Sequence, residues 1–218
     1  MIQQLSIICK AAAILTLAIA SFHDLKDRSI PDSVWIPGMA LGFSVKILDY
    51  SGTIEFLSKT WYFLFILFSL LTIEWKFRLS GEADILAYLT LATLLTGNRM
   101  FPDALMIYFL SKIFIILMIP VQFLVNVVRV IRDPGLLRDF DEPIWRKFLA
   151  LMLLSPYDRR LATCASVAEV SVSGKRKFSF KAALRTSCDE AVEGKWIAPT
   201  YPAMPMILTA SLTVILAP

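Results

Sequence analysis

Leu79-Ser80-Gly81-Glu82-Ala83-Asp84-Ile85-Leu86 sets two acids, Glu82 and Asp84, at the lip of an apolar segment. An acid at a membrane boundary is costly and calls for a reason. The sequence offers a partner for Asp84: Asp24, sixty positions earlier, at the end of another apolar segment. What decides the fold is therefore how many apolar segments there are, and on which side each one ends.

Composition sets the solvent. The 218 residues are 57% hydrophobic and 18% charged, with a mean hydropathy of +0.65. Water-soluble domains lie nearer 45–50% apolar and about 25% charged, so the expected class is an all-α integral membrane protein. The net charge of +4 does not point to nucleic acid. The basic residues cluster beside apolar segments, where they orient a chain in a bilayer. Cys9, Cys164 and Cys188 make no CxxC pair and no even set, and His23 is the only histidine. This excludes a disulfide framework and a histidine-built metal site.

Six apolar segments follow from the pattern. The first runs from about Leu5 to Phe22, long enough to cross a core of about 30 Å. Ala18-Ile19-Ala20 also resembles a signal-peptide cleavage site. The charges that follow directly favour an anchor. The loop His23-Asp24-Leu25-Lys26-Asp27-Arg28-Ser29-Ile30-Pro31-Asp32 turns at Pro31, which restricts Ile30 to extended geometry. The second helix, from about Ser33 to Leu48, contains Gly38 and Gly42, small residues that let a neighbour approach. A third runs from about Phe56 to Phe77 and closes on Glu74-Trp75-Lys76-Phe77-Arg78. The fourth spans about Glu82 to Thr96 with Ser80 as its cap, and the fifth Pro102 to Val130 with a kink at Pro120. Lys112 within it either snorkels or is paired inside the bundle. Ala198 to Ala217 is the sixth.

The layout is thus a five-span core over residues 1–131, a cytosolic region over 132–197 and a sixth helix over 198–218. In the middle region Ile144 to Leu154 reads as an interfacial or core helix. Val167 to Phe180 reads as a hairpin around Ser173-Gly174-Lys175. The basic run Lys175-Arg176-Lys177 is a solvated turn or a contact for anionic lipid headgroups.

Loops after spans one, three and five hold Lys26, Arg28, Lys76 and Arg78, and thirteen further basic residues lie between Arg129 and Lys195. Those after spans two and four hold only Lys59 and Arg99. The positive-inside rule places the first set in the cytoplasm and both termini outside. Trp35, Trp75 and Trp196 then fall at inner boundaries and Trp61 at an outer one, as an aromatic belt. Asp24 and Asp84 share the inner boundary.

Two aspartates at one site can divide peptide hydrolysis: the ionised one takes a proton from water and the protonated one polarises the carbonyl. Like charges push the pair's apparent pKa values apart. The pair titrates as a unit, so neither role attaches to one residue. Gly81 and Ala83 would let a substrate backbone approach. The structural alternative is that each acid is a helix-end charge. That suits Asp84 in a first turn better than Asp24 at a carboxyl end.

The stretch Asp24-Leu25-Lys26-Asp27-Arg28-Ser29-Ile30-Pro31-Asp32 resembles the first aspartate motif of archaeal preflagellin and type IV prepilin peptidases. Gly81-Glu82-Ala83-Asp84 resembles their second, usually written GxGD, with Ala83 in place of the second glycine. Trp196-Ile197-Ala198-Pro199 is similar to the tail of the archaeal branch. The resemblance implies a membrane aspartic protease that removes a short basic leader from precursors of pilin-like or archaeal flagellin-like proteins, on the cytoplasmic face of the cell membrane. It implies Asp24 and Asp84 as the catalytic pair, Gly81, Glu82 and Ala83 as the active-site loop, and Lys26 and Pro31 beside it. It implies no metal or organic cofactor. The cysteine-rich region of bacterial members is missing, so proteolysis without methylation is expected. The partners are the precursor and the bilayer. Glu82, Asp139, Asp141 and Glu142 are the acids available to offset the positive charge of a leader. The competing readings are a presenilin-like protease, which cuts within the bilayer, and a small transporter or assembly scaffold.

Overall fold

The computed structural model describes residues 2–48, 54–77, 81–95, 102–157, 165–172, 175–180, 196–199 and 201–217. The chain is mostly helical and forms two compact units, Met1–Phe114 with Pro202–Pro218, and Ile115–Tyr201.

The first unit contains α1 (Ile2–Lys26), a 3-10 turn (Asp32–Val34), α2 (Trp35–Leu48), α3 (Ile54–Phe77), α4 (Glu82–Leu94), the first part of α5 (Asp103–Arg132) and the last helix, α8 (Ala203–Leu216). Cys9, Ala13, Leu17 and Ala20 recur at helical spacing on α1 and are all buried. They belong to one core with Leu91 and Leu94 of α4 and Ile207 and Ala210 of α8. α1 is thus a packed helix of that core.

Small residues set the α2–α4 contact, as the sequence leads one to expect. A Cβ on Gly38 would stand 2.9 Å from Thr90 Cγ2, and one on Gly42 2.7 Å from the Thr93 carbonyl carbon. Without a hydrophobic drive in lipid, close van der Waals contact of this kind holds helices together. Backbone cannot yield as a flexible side chain does. Gly42→Val is therefore expected to cost about 1–3 kcal/mol, read as a lowered unfolding midpoint in detergent. Unchanged stability would mean that the two helices are not in contact there.

Two helices among the described residues are long and apolar enough to cross a membrane, Gln4–Lys26 and Asp103–Arg132. Only 28% of each apolar window is buried. The exposed residues are large and apolar, such as Ile7, Leu15 and Phe22 on α1 and Ile116, Leu117 and Leu124 on α5. Surfaces like these need a lipid solvent. Of the other expected spans, α3 runs 24 residues, close to its expected length, and three are shorter than read. α2 and α8 have 14 residues and α4 has 13, about 20 Å each against a core of about 30 Å. Pro199 and Pro202 delay α8 to Ala203. Ser80 and Gly97-Asn98 lie outside the described residues.

The tryptophan belt is corrected in part. Trp75 is exposed, whereas Trp35 and Trp196 are buried in packed cores. The Trp61 side chain lies outside the described residues.

The second unit departs from an all-α fold. Besides the end of α5, α6 (Gly135–Arg138) and α7 (Ile144–Leu153), it holds β1 (Ser155–Pro156), β2 (Ala165–Val167), β3 (Glu169–Val172), β4 (Lys175–Phe178) and β5 (Trp196–Pro199). The expected hairpin is β3–β4, antiparallel, with Glu169 opposite Phe178. A second sheet, in the order β1-β5-β2, was not read from the sequence. Its strands are two to four residues long, too short for a period-2 signal, and their pairing is long-range. The lead-in to the last span, Trp196–Pro199, is its central strand. Phe140 stacks on Phe178 at 4.0 Å, with Trp196 edge-on to both. Arg176 crosses the Phe140 ring and grips Glu169 with two bonds of 2.6 and 2.9 Å.

Candidate active site

Asp24 sits in the last turn of α1. Its own helix dipole is unfavourable there, but Asp24 Oδ2 accepts the Met204 N–H of α8 at 3.0 Å. That N–H is one of the four an α-helix leaves free at its amino end. Pro202, at the cap position of α8, supplies no side-chain bond. Asp24 thus acts as the cap of α8, across 180 residues of sequence. Its other oxygen, Oδ1, lies 4.0 Å from Arg28 Nη1. Arg28 has φ 54° and stops α1 in the left-handed conformation that glycine usually takes.

Asp84 is the third residue of α4. Its Oδ2 accepts the Gly81 N–H at 3.1 Å, so it caps its own helix. Gly81 has no side chain to return the bond. Among the described residues each aspartate is thus fixed by one carboxyl oxygen to a backbone N–H, while the second oxygen takes no hydrogen bond. The helices that carry them, α1 and α4, pack against each other. Each acid therefore caps a helix amino end, and these bonds orient each carboxyl.

The remaining expected residues divide. Ala83 packs against the core of the first unit. Glu82 is exposed in the first turn of α4. Gly81 is exposed, with φ −73°. A Cβ on it would meet nothing closer than Asp84 Oδ2 at 3.8 Å, so the fold does not demand glycine there. Gly81→Ala should leave the unfolding midpoint unchanged and slow turnover if a substrate backbone passes over this loop. Equal slowing and unfolding would assign Gly81 to the fold instead. Lys26 and Pro31 are exposed, Pro31 preceding the 3-10 turn, and the structure does not tie them to the pair.

One cluster escaped the sequence reading. Glu74, expected as a boundary charge, is buried. It accepts Tyr108 Oη at 2.9 Å and Lys112 Nζ at 2.9 and 3.0 Å. Lys112 also lies over the rings of Tyr88 and Tyr108, at 5.5 and 5.3 Å. Tyr88 stands one helical turn after Asp84, and its hydroxyl meets Ser111 Oγ at 2.7 Å. Lys112 is therefore paired inside the bundle rather than snorkelling. A lysine in mid-span that needs an acid was the available signal.

Asp139, Asp141 and Glu142 are already engaged, with Arg176, Lys175 and Arg146 respectively. Lys175 holds the Asp141 carboxyl below its ordinary pKa. These acids are committed to their own unit, which leaves Glu82 as the exposed acid nearest the pair in sequence.

Neither a curated protein nor a solved structure matches the chain. A family model does, over residues 11–121. The match includes Asp24, Asp84 and the Glu74–Lys112 cluster, covers about half of the sequence, and brings with it a protease activity and a membrane setting. The chain belongs to the type IV leader peptidase family.

Proposed function

We propose that the protein is a multi-pass membrane aspartic endopeptidase that cuts the short basic leader from pilin-like or archaeal flagellin-like precursors at the cytoplasmic face. The observation that carries this is the matched fixing of Asp24 and Asp84, each by one oxygen on a backbone N–H, on two helices that pack against each other. Each keeps an oxygen for a water or a carbonyl. One, ionised, takes a proton from the water as it attacks the scissile carbonyl; the other, protonated, gives its proton to the carbonyl oxygen. The peptide C–N bond then breaks as the leaving nitrogen is protonated. Backbone bonds hold both carboxyls ready, so little reorganisation is spent at the moment of reaction.

Both acids lie in terminal turns, Asp24 at the end of α1 and Asp84 at the start of α4. This favours a cut at the membrane boundary over one in mid-bilayer. Lys112 is held by Glu74 and two tyrosine rings, which speaks against a transport path built on it. The substrate's hydrophobic helix would lie in the bilayer beside the enzyme, its basic leader in the cytoplasm with Glu82 facing it. Glu82→Lys should slow cleavage of a lysine-rich leader more than that of a neutral one; equal rates would remove Glu82 from recognition. The reading as a whole is tested by incubating the purified protein in vesicles with a precursor pilin and sequencing the product's new amino terminus. A new terminus at the end of the leader is expected. Intact precursor in the presence of folded, inserted protein would overturn it.

A further inference from the structure

We infer that α7 is an interfacial helix whose outward apolar face lies in the headgroup boundary of the bilayer. Its amphipathicity runs the wrong way for a domain in water. At 100° per residue, Ile144, Trp145, Phe148, Leu149, Met152 and Leu153 fill one continuous half of the helix. Ile144 is 86% exposed, Trp145 59% and Phe148 50%, while Ala150 and Leu154 are at 0%. The cations face the protein instead. Arg146 bonds to Glu142 at 2.8 Å and to the Phe178 carbonyl at 3.0 Å, and Lys147 to the Leu137 carbonyl at 3.1 Å. A water-facing helix would show the opposite arrangement.

The attachment of α7 names its occupant. Asn126 of α5, fully buried, donates to the carbonyls of Leu151 and Leu154 at 2.8 and 2.6 Å, and Gln122 donates to Leu154 at 3.3 Å. Carbonyls at this end of a helix have no partner of their own, so α5 fixes the position of α7 along its own axis. The Phe123 and Phe148 rings add a contact at 5.1 Å. Counted from Asp103, residues 122 to 126 lie roughly 28–35 Å along α5 at 1.5 Å per residue. The hydrocarbon core is about 30 Å thick. The pins therefore hold α7 at the depth where α5 leaves the hydrocarbon. Around them α5 itself shows exposed Leu124, Val128 and Ile131. Trp145 supplies the indole that favours this layer.

The inference is independent of proteolysis and is tested by depth measurement on the full chain. Cys9, Cys164 and Cys188 are replaced by Ser, and a nitroxide is placed at Ile144→Cys or Ile116→Cys. Each protein is put into phosphatidylcholine–phosphatidylglycerol vesicles, and collisions with oxygen and a water-soluble nickel chelate are compared. The Ile144 label should lie ~5–10 Å below the phosphates, with the Ile116 label deeper. An Ile144 label open to nickel, or one shielded from both reagents by a second copy or another protein, overturns the proposal. An Ile116 label in water overturns the span and the proposal together, without touching the reading as a protease. Trp145→Phe in the otherwise unaltered protein is a second measure. It should remove emission that shallow brominated lipid quenches, and unchanged quenching would contradict the assignment.

Discussion

Asp84→Asn is expected to lower the rate of leader cleavage by about 10²–10⁴-fold, the range lost when a positioned acid or base is removed. Asn is the informative replacement. Its amide oxygen still accepts the Gly81 N–H that Asp84 holds at 3.1 Å, so the start of α4 keeps its cap while the proton-transfer chemistry goes. The same logic holds for Asp24, where Asn retains the bond to the Met204 N–H. Alanine would confuse the two roles, since losing a cap alone costs about 0.5–2 kcal/mol. The measurements are initial cleavage rate and unfolding midpoint on the same preparation. Loss of rate at a preserved midpoint is the predicted result. A wild-type rate in Asp84→Asn would end the case for it as a catalytic group.

Lys112→Met is expected to be the most damaging single change to the first unit. It leaves Glu74 buried with its Tyr108 bond but without the ammonium that now contacts both carboxylate oxygens. Removing one partner of a buried ion pair costs about 3–5 kcal/mol, whereas replacing both by apolar residues is often neutral. Combining Glu74→Gln with Lys112→Met should therefore recover much of the loss. Unfolding midpoints in detergent for the singles and the double check this. Equal stability of Lys112→Met and wild type would show that the pair is not sealed from water. The cluster adjoins α4 through Tyr88, so partial loss of cleavage should follow the loss of stability.

The two helix ends that carry the candidate acids were legible because their signals are local in the sequence. Gly81-Glu82-Ala83-Asp84 marks a helix start by itself, and Asp24 closes an apolar run. The acid-to-backbone bond within the second motif needs only three residues of spacing. The bond from Asp24 to Met204 was not legible, because no periodicity links residues 180 positions apart. Close approach of some helix to α2 was, since Gly38 and Gly42 lie one turn apart, but that the neighbour is α4 was not. Apolarity alone made α2 and α4 read as spans, and they run 14 and 13 residues. In the second unit the hairpin was readable from alternation, whereas β1 and β2 carry too few residues to leave a pattern. Trp35 and Trp196 show the limit of reading aromatic residues by position alone, because burial against neighbours depends on partners far along the chain.

The central claim is that Asp24 and Asp84 act as one catalytic unit. A double-mutant comparison of cleavage rates tests it most directly, using Asp24→Asn, Asp84→Asn and the two combined, each checked for insertion and unfolding midpoint. Groups that work as a unit are strongly non-additive, so the predicted result is that each single variant loses nearly all activity and the double is no slower than either. A wild-type rate in one single variant, or losses that multiply in the double, would contradict the account.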